Sequence, residues 1–125
     1  MTHQKIIDKD LQNRILKFSA DVDSFLKNIK KDEQKNVIRE ISTQLLISSN
    51  ACCTDFEEAR NVNNKPEYNK KMEIAFKEMK DNNYWLKMLE LMEEGNSLIC
   101  KELINESGEL QNILESLYLK SLKKK

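Results

Sequence analysis

Glycine, proline and histidine are scarce in this sequence. It contains two glycines, one proline and one histidine among 125 residues. Isolated glycines cannot build a glycine-rich phosphate loop. His3, in the first residues of the chain, argues against a His-based triad. A di-iron site is excluded too, because it needs a Glu-x-x-His motif on each of two helices. No stretch approaches roughly 18 apolar residues, and the first residues lack the apolar segment of a signal peptide. We therefore expect a cytoplasmic protein with no membrane span.

The cysteine count is low and odd. Cys52 and Cys53 are adjacent, and the third cysteine is Cys100. They form no disulfide framework, and no second Cys/His cluster lies at metal-ligand spacing. A redox or metal site at Cys52–Cys53 is one interpretation; the favoured one is a tight helix crossing in which the thiols act as small buried apolar groups. We expect no metal and no cofactor.

The sequence has no excess of either charge. Lys+Arg and Asp+Glu both number 21, so the formal net charge is zero. Proteins that grip phosphate backbones usually carry a basic excess, so general nucleic-acid binding is disfavoured. Lysines nevertheless cluster early in the third predicted helix, and they form a candidate weak nucleic-acid patch: Lys65, Lys70, Lys71, Lys77 and Lys80.

What the sequence does contain is helical periodicity. Apolar residues at spacings of three and four predict helices over about residues 8–30, 32–60, 65–94 and 97–122. The first helix has one clean seam: Leu11, Ile15, Phe18, Val22, Phe25 and Ile29. In the second, Val37 and Ile47 add a second apolar stripe to the main seam. A helix with two apolar faces requires two partners; one is its own bundle, and a neighbouring subunit is a candidate for the other.

Capping residues mark the helix ends. We expect Asp8 and Asp32 to cap the first two helices, and Asn64 with Glu67 to form a capping box before the third. Pro66 fits the first turn of that helix, where its missing amide costs little. Gly95 is predicted as the left-handed residue that follows the third helix.

Asn96 or Ser97 is expected to begin the fourth helix, and Gly108 predicts a kink or short break within it. The connections are short, which favours antiparallel neighbours. The predicted fold is an all-α, antiparallel up-down-up-down four-helix bundle that forms a single domain over residues 1–125.

The segment from Gln44 to Leu89 resembles a known family. The strings QLLISSNACCTDFEEAR, EY, IAFKE and YWLKML are similar to those of the bacterial four-helix bundle proteins, also called 23S rRNA-intervening-sequence proteins. The resemblance implies an antiparallel bundle that assembles into a ring, often a pentamer, with no assigned function. Retroelement accessory variability proteins are distantly similar and bind nucleic acid and a reverse transcriptase through a basic surface. Here Ile47 and residues 61–64 stand where basic residues are common, which argues against that role.

These observations predict that the protein is not an enzyme and has no catalytic residue. Adjacent carboxylates do not converge on a helix, and Cys52 has no general base near it in sequence. We expect a self-assembling scaffold or adaptor whose protein partner is unknown. The candidate subunit interface comprises Ile47, Ala51, Glu58, Arg60, Tyr84 and Trp85. For Glu58 and Arg60, the favoured interpretation is an ion pair or cap at the end of the helix, and the subunit contact is the alternative.

Two other functions stay open. The first is an accessory factor that binds RNA, DNA or a reverse-transcriptase-like partner. The second is a catalyst that uses Cys52 or Cys53.

Overall fold

Four helices pack as a closed bundle. The structure is a computed structural model that describes the backbone of residues 3–29 and 36–123 and the side chains from Asp8 onward. The helices are α1 (His3–Lys27), α2 (Asn36–Asn61), α3 (Lys65–Leu91) and α4 (Ser97–Lys123). Each helix packs against the next, and α4 returns to α1. The described residues contain no strand, so the predicted all-α four-helix bundle is confirmed.

The core follows the predicted seams. All six residues of the first predicted seam are buried, five of them in α1 and the sixth, Ile29, just after its end. The other helices contribute the remaining large buried side chains, namely Ile38, Ile41, Leu45, Phe56, Met72, Met79, Leu86, Leu89, Leu103, Leu110 and Leu114. Spacings of three and four residues place these side chains on one face of each helix. Burying that face is what stabilises each helix in the bundle.

A polar layer crosses the core between these apolar residues. The hydroxyl of Ser48 on α2 donates to Asn82 Oδ1 on α3. The next residue, Asn83, donates to Ser107 Oγ and to the Ile104 carbonyl of α4, both at 3.0 Å. Buried polar groups are costly unless they are bonded, so each pairing favours one register between its two helices.

Two predicted helix ends are wrong, and one lies outside the described residues. Helix α1 already begins at His3, so Asp8 lies inside the helix and does not cap it. Helix α3 ends at Leu91, and the left-handed residue directly after its cap is Glu93, with φ 57°, rather than Gly95. Asp32 falls in residues 30–35, outside the described part of the chain.

The end of α3 satisfies its own carbonyls in a Schellman motif. The Glu93 amide donates to the Glu90 carbonyl and the Glu94 amide to the Leu89 carbonyl, both at 3.0 Å. In this motif the left-handed residue is the one after the C-cap. The C-cap of α3 is Met92, so the left-handed position falls on Glu93, two residues before Gly95. Gly95 is left-handed as predicted, with φ 76°, but it lies outside the Schellman motif, and a Cβ there would lie 2.6 Å from the Phe25 ring.

The Asn64 cap at the start of α3 is confirmed, and the Glu67 carboxylate bonds the side-chain amide of Asn64, where a capping box would bond its backbone amide. Asn64 Oδ1 accepts from the Glu67 amide at 2.9 Å, and Asn64 Nδ2 donates to Glu67 Oε2 at 3.2 Å. Pro66 lies in the first turn.

Helix α4 begins as predicted but does not break. Asn96 caps it by accepting from the Ile99 amide at 2.9 Å. The helix is continuous through Gly108, and α3 packs along it. None of the described helices combines the length and the apolar character needed to cross a membrane.

Candidate functional site

One side of the bundle, where α2 meets α3, exposes apolar side chains. We call it the α2–α3 face and define it by Val37, Gln44, Ile47, Ala51 and Trp85. Val37 is 52% exposed and Ile47 is 56% exposed. The four α2 residues are spaced so that they lie on one side of that helix. Val37, Gln44 and Trp85 line a shallow cavity of about 250 Å³ together with Glu40 and Ile41.

The predicted aromatic pair bridges this face and the outer surface of α3. The ring centroids of Tyr84 and Trp85 are 4.9 Å apart with an edge-to-face angle of 70°. Trp85 is half-buried beside α2, whereas Tyr84 is 55% exposed. The pair therefore presents an aromatic edge next to Val37 and Gln44, an arrangement common at protein interfaces.

Glu58 and Arg60 do not pair with each other. Glu58 lies in line with Ala51 and Ile47, and its carboxylate contacts Lys71 Nζ at 2.5 Å across the α2–α3 boundary. Arg60 points to the other side of α2 and donates to Gln12 Oε1 of α1. Ile47, Ala51 and Glu58 thus share one side of α2, whereas Arg60 bonds to α1.

Sequence reasoning missed a pair of carboxyl groups on the same side of the bundle. Asp55 follows Ala51 by one turn of α2, and Glu78 precedes Trp85 by two turns of α3. Burial, a hydrogen bond with Asp55, and the charges of Asp55 and Asp81 raise the pKa of Glu78 to about 8. At neutral pH the Glu78 carboxyl therefore holds a proton. Its Oε1 atom is buried and accepts no hydrogen bond from a described residue.

The three cysteines serve as packing residues. The thiol of Cys52 donates to the Ala75 carbonyl at 3.4 Å, and that of Cys53 to the Ile15 carbonyl at 3.7 Å. Burial raises the pKa of Cys52 well above its usual range, raises the pKa of Cys53, and raises that of Cys100 to about 11. The thiolate is the nucleophilic form, so these thiols are poorly suited to catalysis. Nowhere in the described chain do three or more metal-ligating side chains cluster.

The five predicted lysines separate into two groups. Lys71 pairs with Glu58, and Lys65 Nζ is buried without a hydrogen-bond partner among the described residues. Lys70, Lys77 and Lys80 lie on the outer face of α3, with Lys77 3.6 Å from Glu73. By helical spacing, Tyr84 and Lys87 continue this outer row, and both are exposed. Both residues could have been added to the row from the sequence, because Tyr84 follows Lys80 by four positions and Lys87 follows Tyr84 by three.

Comparisons with known proteins bear on the fold. No family model and no curated protein matches the chain. A solved structure does match: a protein of unknown function from the S23 ribosomal protein family of Bacteroides thetaiotaomicron. The TM-score is 0.77 at 23% identity, over 89% of this chain and 96% of that one. The similarity spans almost the whole of both chains, and it shows that they share the four-helix fold.

Proposed function

We propose that the chain is a non-enzymatic helical assembly protein that self-associates through the α2–α3 face and serves as a scaffold or adaptor. One observation carries the proposal: Val37 and Ile47 are each more than half exposed on a helix whose opposite side is fully buried in the core. Neither residue belongs to the buried core cluster. Burying them against a second copy would remove apolar surface from water, which would stabilise the contact by about 25 cal/mol for each Å² buried.

The rest of this face supports close helix contact. Ala51 is small and lies one turn from Ile47, so it lets another helix approach. The Glu58–Lys71 pair neutralises two charges at one end, and the protonated Glu78 removes a third. Aromatic residues next to small and aliphatic ones, with few net charges, are typical of the centre of an interface. The family resemblance favours a ring, and a pentamer in particular.

Light scattering coupled to size exclusion tests this proposal. We expect an oligomer at micromolar concentration, and a 14.7 kDa monomer across that range would contradict it. Ile47→Glu should shift the chain to monomer because it places a charge at the centre of the contact. Leu16→Glu is the matched control, since Leu16 is a similarly exposed apolar residue on α1 and should leave the oligomer intact.

A second candidate function rests on the outer row of α3. Lys70, Lys77, Lys80 and Lys87 flank the exposed Tyr84 over about 25 Å of helix. Cations spaced along a groove or ridge contact phosphates, and an exposed aromatic ring stacks on unpaired bases. The row favours a single-stranded nucleic acid as the alternative ligand.

Fluorescence anisotropy with single-stranded RNA and DNA distinguishes the two candidates. Binding at low salt that falls steeply as salt rises, and that is weakened by Lys77→Gln with Lys80→Gln, would support the nucleic-acid role. Lys9→Gln with Lys17→Gln on α1 is the matched control. No binding at low salt would contradict this role and leave self-association as the function.

A further inference from the structure

Two carboxyl groups from different helices meet on the side of the bundle that carries the α2–α3 face. Asp55 lies one turn after Ala51 on α2, and Glu78 lies two turns before Trp85 on α3. The two carboxyl groups are within hydrogen-bonding reach of each other, and we call them the carboxyl pair. Since ionised carboxylates only accept, a hydrogen bond between these two groups requires one shared proton.

Helix α2, against which Glu78 packs, supplies no cation to the carboxyl pair. Its sequence contains no lysine or arginine over residues 40–59. Arg60, at the end of the helix, is bonded to α1. The titratable side chains of α2 that interact with Glu78 are Asp55 and Cys52. Burial raises the pKa of the Cys52 thiol well above its usual range, so that thiol is uncharged and does not compensate for a carboxylate.

Helix α3 adds a further negative charge on this side. The carboxylate of Asp81, one turn after Glu78, contributes to the raised pKa of Glu78. Lys71 lies two turns before Glu78 on the same side of the helix, and its Nζ atom is 2.5 Å from the Glu58 carboxylate. The adjacent Lys77 points about 100° away from Glu78 around the helix. The protonated carboxyl pair thus carries one negative charge, and loss of its proton doubles that charge.

The carboxyl pair is already poorly hydrated in a single chain. The Glu78 Oε1 atom is buried and accepts no hydrogen bond from a described residue. Burial is also the largest cause of the pKa of about 8 that Glu78 has in the fold. An ionised carboxylate without a partner is costly to remove from water. A surface that covers the α2–α3 face would exclude more water from Glu78, and it would therefore bind the protonated form more tightly than the ionised one.

We infer that the carboxyl pair makes self-association through the α2–α3 face sensitive to pH: the contact retains the shared proton and is released when that proton is lost. The inference rests on the proposed function, since a second copy is the surface that covers the pair. By linkage, a contact that favours the protonated form weakens as pH rises through the pKa of the free chain. Between pH 6 and pH 7 the free and the assembled chains both hold the proton, so association should change little there.

Sedimentation velocity between pH 6 and pH 9 at constant ionic strength measures this dependence. With a pKa of about 8, only about one in ten Glu78 carboxyls keeps its proton in the free chain at pH 9. We therefore expect the association constant of each contact to fall about five- to tenfold from pH 7 to pH 9. Far-UV circular dichroism of the same samples should show an unchanged helix content. Loss of helix together with loss of assembly would overturn the proposal, because unfolding would then explain the release.

Two variants assign the effect to the carboxyl pair. Glu78→Gln mimics the protonated carboxyl, so its association should not weaken from pH 7 to pH 9. Asp55→Asn replaces the carboxylate that raises the pKa of Glu78 with an amide that donates to it, so release should begin at a lower pH than in the wild type. Glu73→Gln removes a carboxyl on the α4 side of α3 and is the matched control, which should keep the wild-type profile. A wild-type profile in Glu78→Gln, or an unchanged midpoint in Asp55→Asn, would overturn the proposal.

Other outcomes separate the pH dependence from self-association itself. A wild type that assembles with the same association constant from pH 6 to pH 9 overturns the pH dependence and leaves self-association standing. A wild type that is monomeric at pH 6 as well as at pH 9 overturns both. Assembly that survives Ile47→Glu and still weakens above pH 8 overturns this inference too, because the pH-sensitive contact would then lie away from the α2–α3 face.

Discussion

Arg14 on α1 holds Glu106 on α4 through two hydrogen bonds of 2.7 Å, one from Nε and one from Nη2. The same guanidinium contacts Glu109 at 2.8 Å. The hydrogen bonds with Glu106 above all, and then that with Glu109, raise the pKa of Arg14, so its guanidinium stays charged. The forked geometry of arginine matches a carboxylate, so this contact ties the first helix to the last and closes the bundle.

Replacement of Arg14 by alanine should destabilise the fold modestly. The side chains of Arg14 and Glu106 are each about one-third exposed, so solvent weakens the pair. We expect a loss of about 1 kcal/mol in urea unfolding. Lys17→Ala removes an exposed pair within α1 and is the control, for which little change is expected. Equal losses in both variants would contradict a special role for Arg14.

The buried Asn82 should be among the residues least tolerant of substitution. Asn82→Ala leaves Ser48 without its α3 partner and opens a cavity in the core. Loss of such a bonded pair costs about 2–3 kcal/mol. The exposed Asn105→Ala on α4 is the control and should be nearly neutral. A double-mutant cycle with Ser48→Ala should return a coupling energy of at least about 0.5 kcal/mol, and a value near zero would show that the two side chains act independently.

The fold was predictable to the extent that it depends on apolar periodicity. The first predicted seam was found completely, including Ile29 just past the end of α1, because its apolar residues repeat at three or four positions. The core asparagines were not found, since Asn82 and Asn83 are polar and the pattern that marks a core is apolar. Only the register between α2 and α3 shows that Asn82 meets Ser48.

The candidate site was predictable only in part, for the same physical reason. The second stripe of α2 predicted that Ile47 would face outward, and it is exposed. The partners of charged residues depend on how two helices are aligned, so neither the Glu58–Lys71 pair nor the contact of Arg60 with Gln12 follows from spacing. The raised pKa of Glu78 likewise depends on burial and on Asp55 of another helix.

The two glycines should respond to alanine in opposite directions. Gly95 has φ +76°, and a Cβ would lie 2.6 Å from the Phe25 ring, so Gly95→Ala should cost at least about 2 kcal/mol. Gly108 lies inside α4, where the nearest atom to a new Cβ would be Asn83 Nδ2 at 3.7 Å. Gly108→Ala should therefore stabilise the fold by about 0.5–1 kcal/mol. Thermal unfolding of the two variants checks the sign, and destabilisation by Gly108→Ala would show that α4 requires a glycine there.

Stability should fall as pH rises through the neutral range because of Glu78. Its carboxyl has an ordinary pKa of 4.5 in the unfolded chain and a pKa of about 8 in the folded one. Between these values the folded state binds more protons than the unfolded state, so the free energy of unfolding decreases with increasing pH and levels off above about 8. Glu78→Gln mimics the protonated carboxyl and should remove this slope, leaving a variant that is more stable than the wild type at pH 8.

Urea unfolding at a series of pH values measures this slope. Glu73→Gln is the matched control, because Glu73 lies on the α4 side of α3, away from Asp55, and accepts a hydrogen bond from Tyr118 at 3.0 Å. That variant should keep the wild-type slope between pH 5 and pH 8. A Glu78→Gln protein with the same pH dependence as the wild type would show that the Glu78 carboxyl is ionised in the fold and that Asp55 does not share its proton.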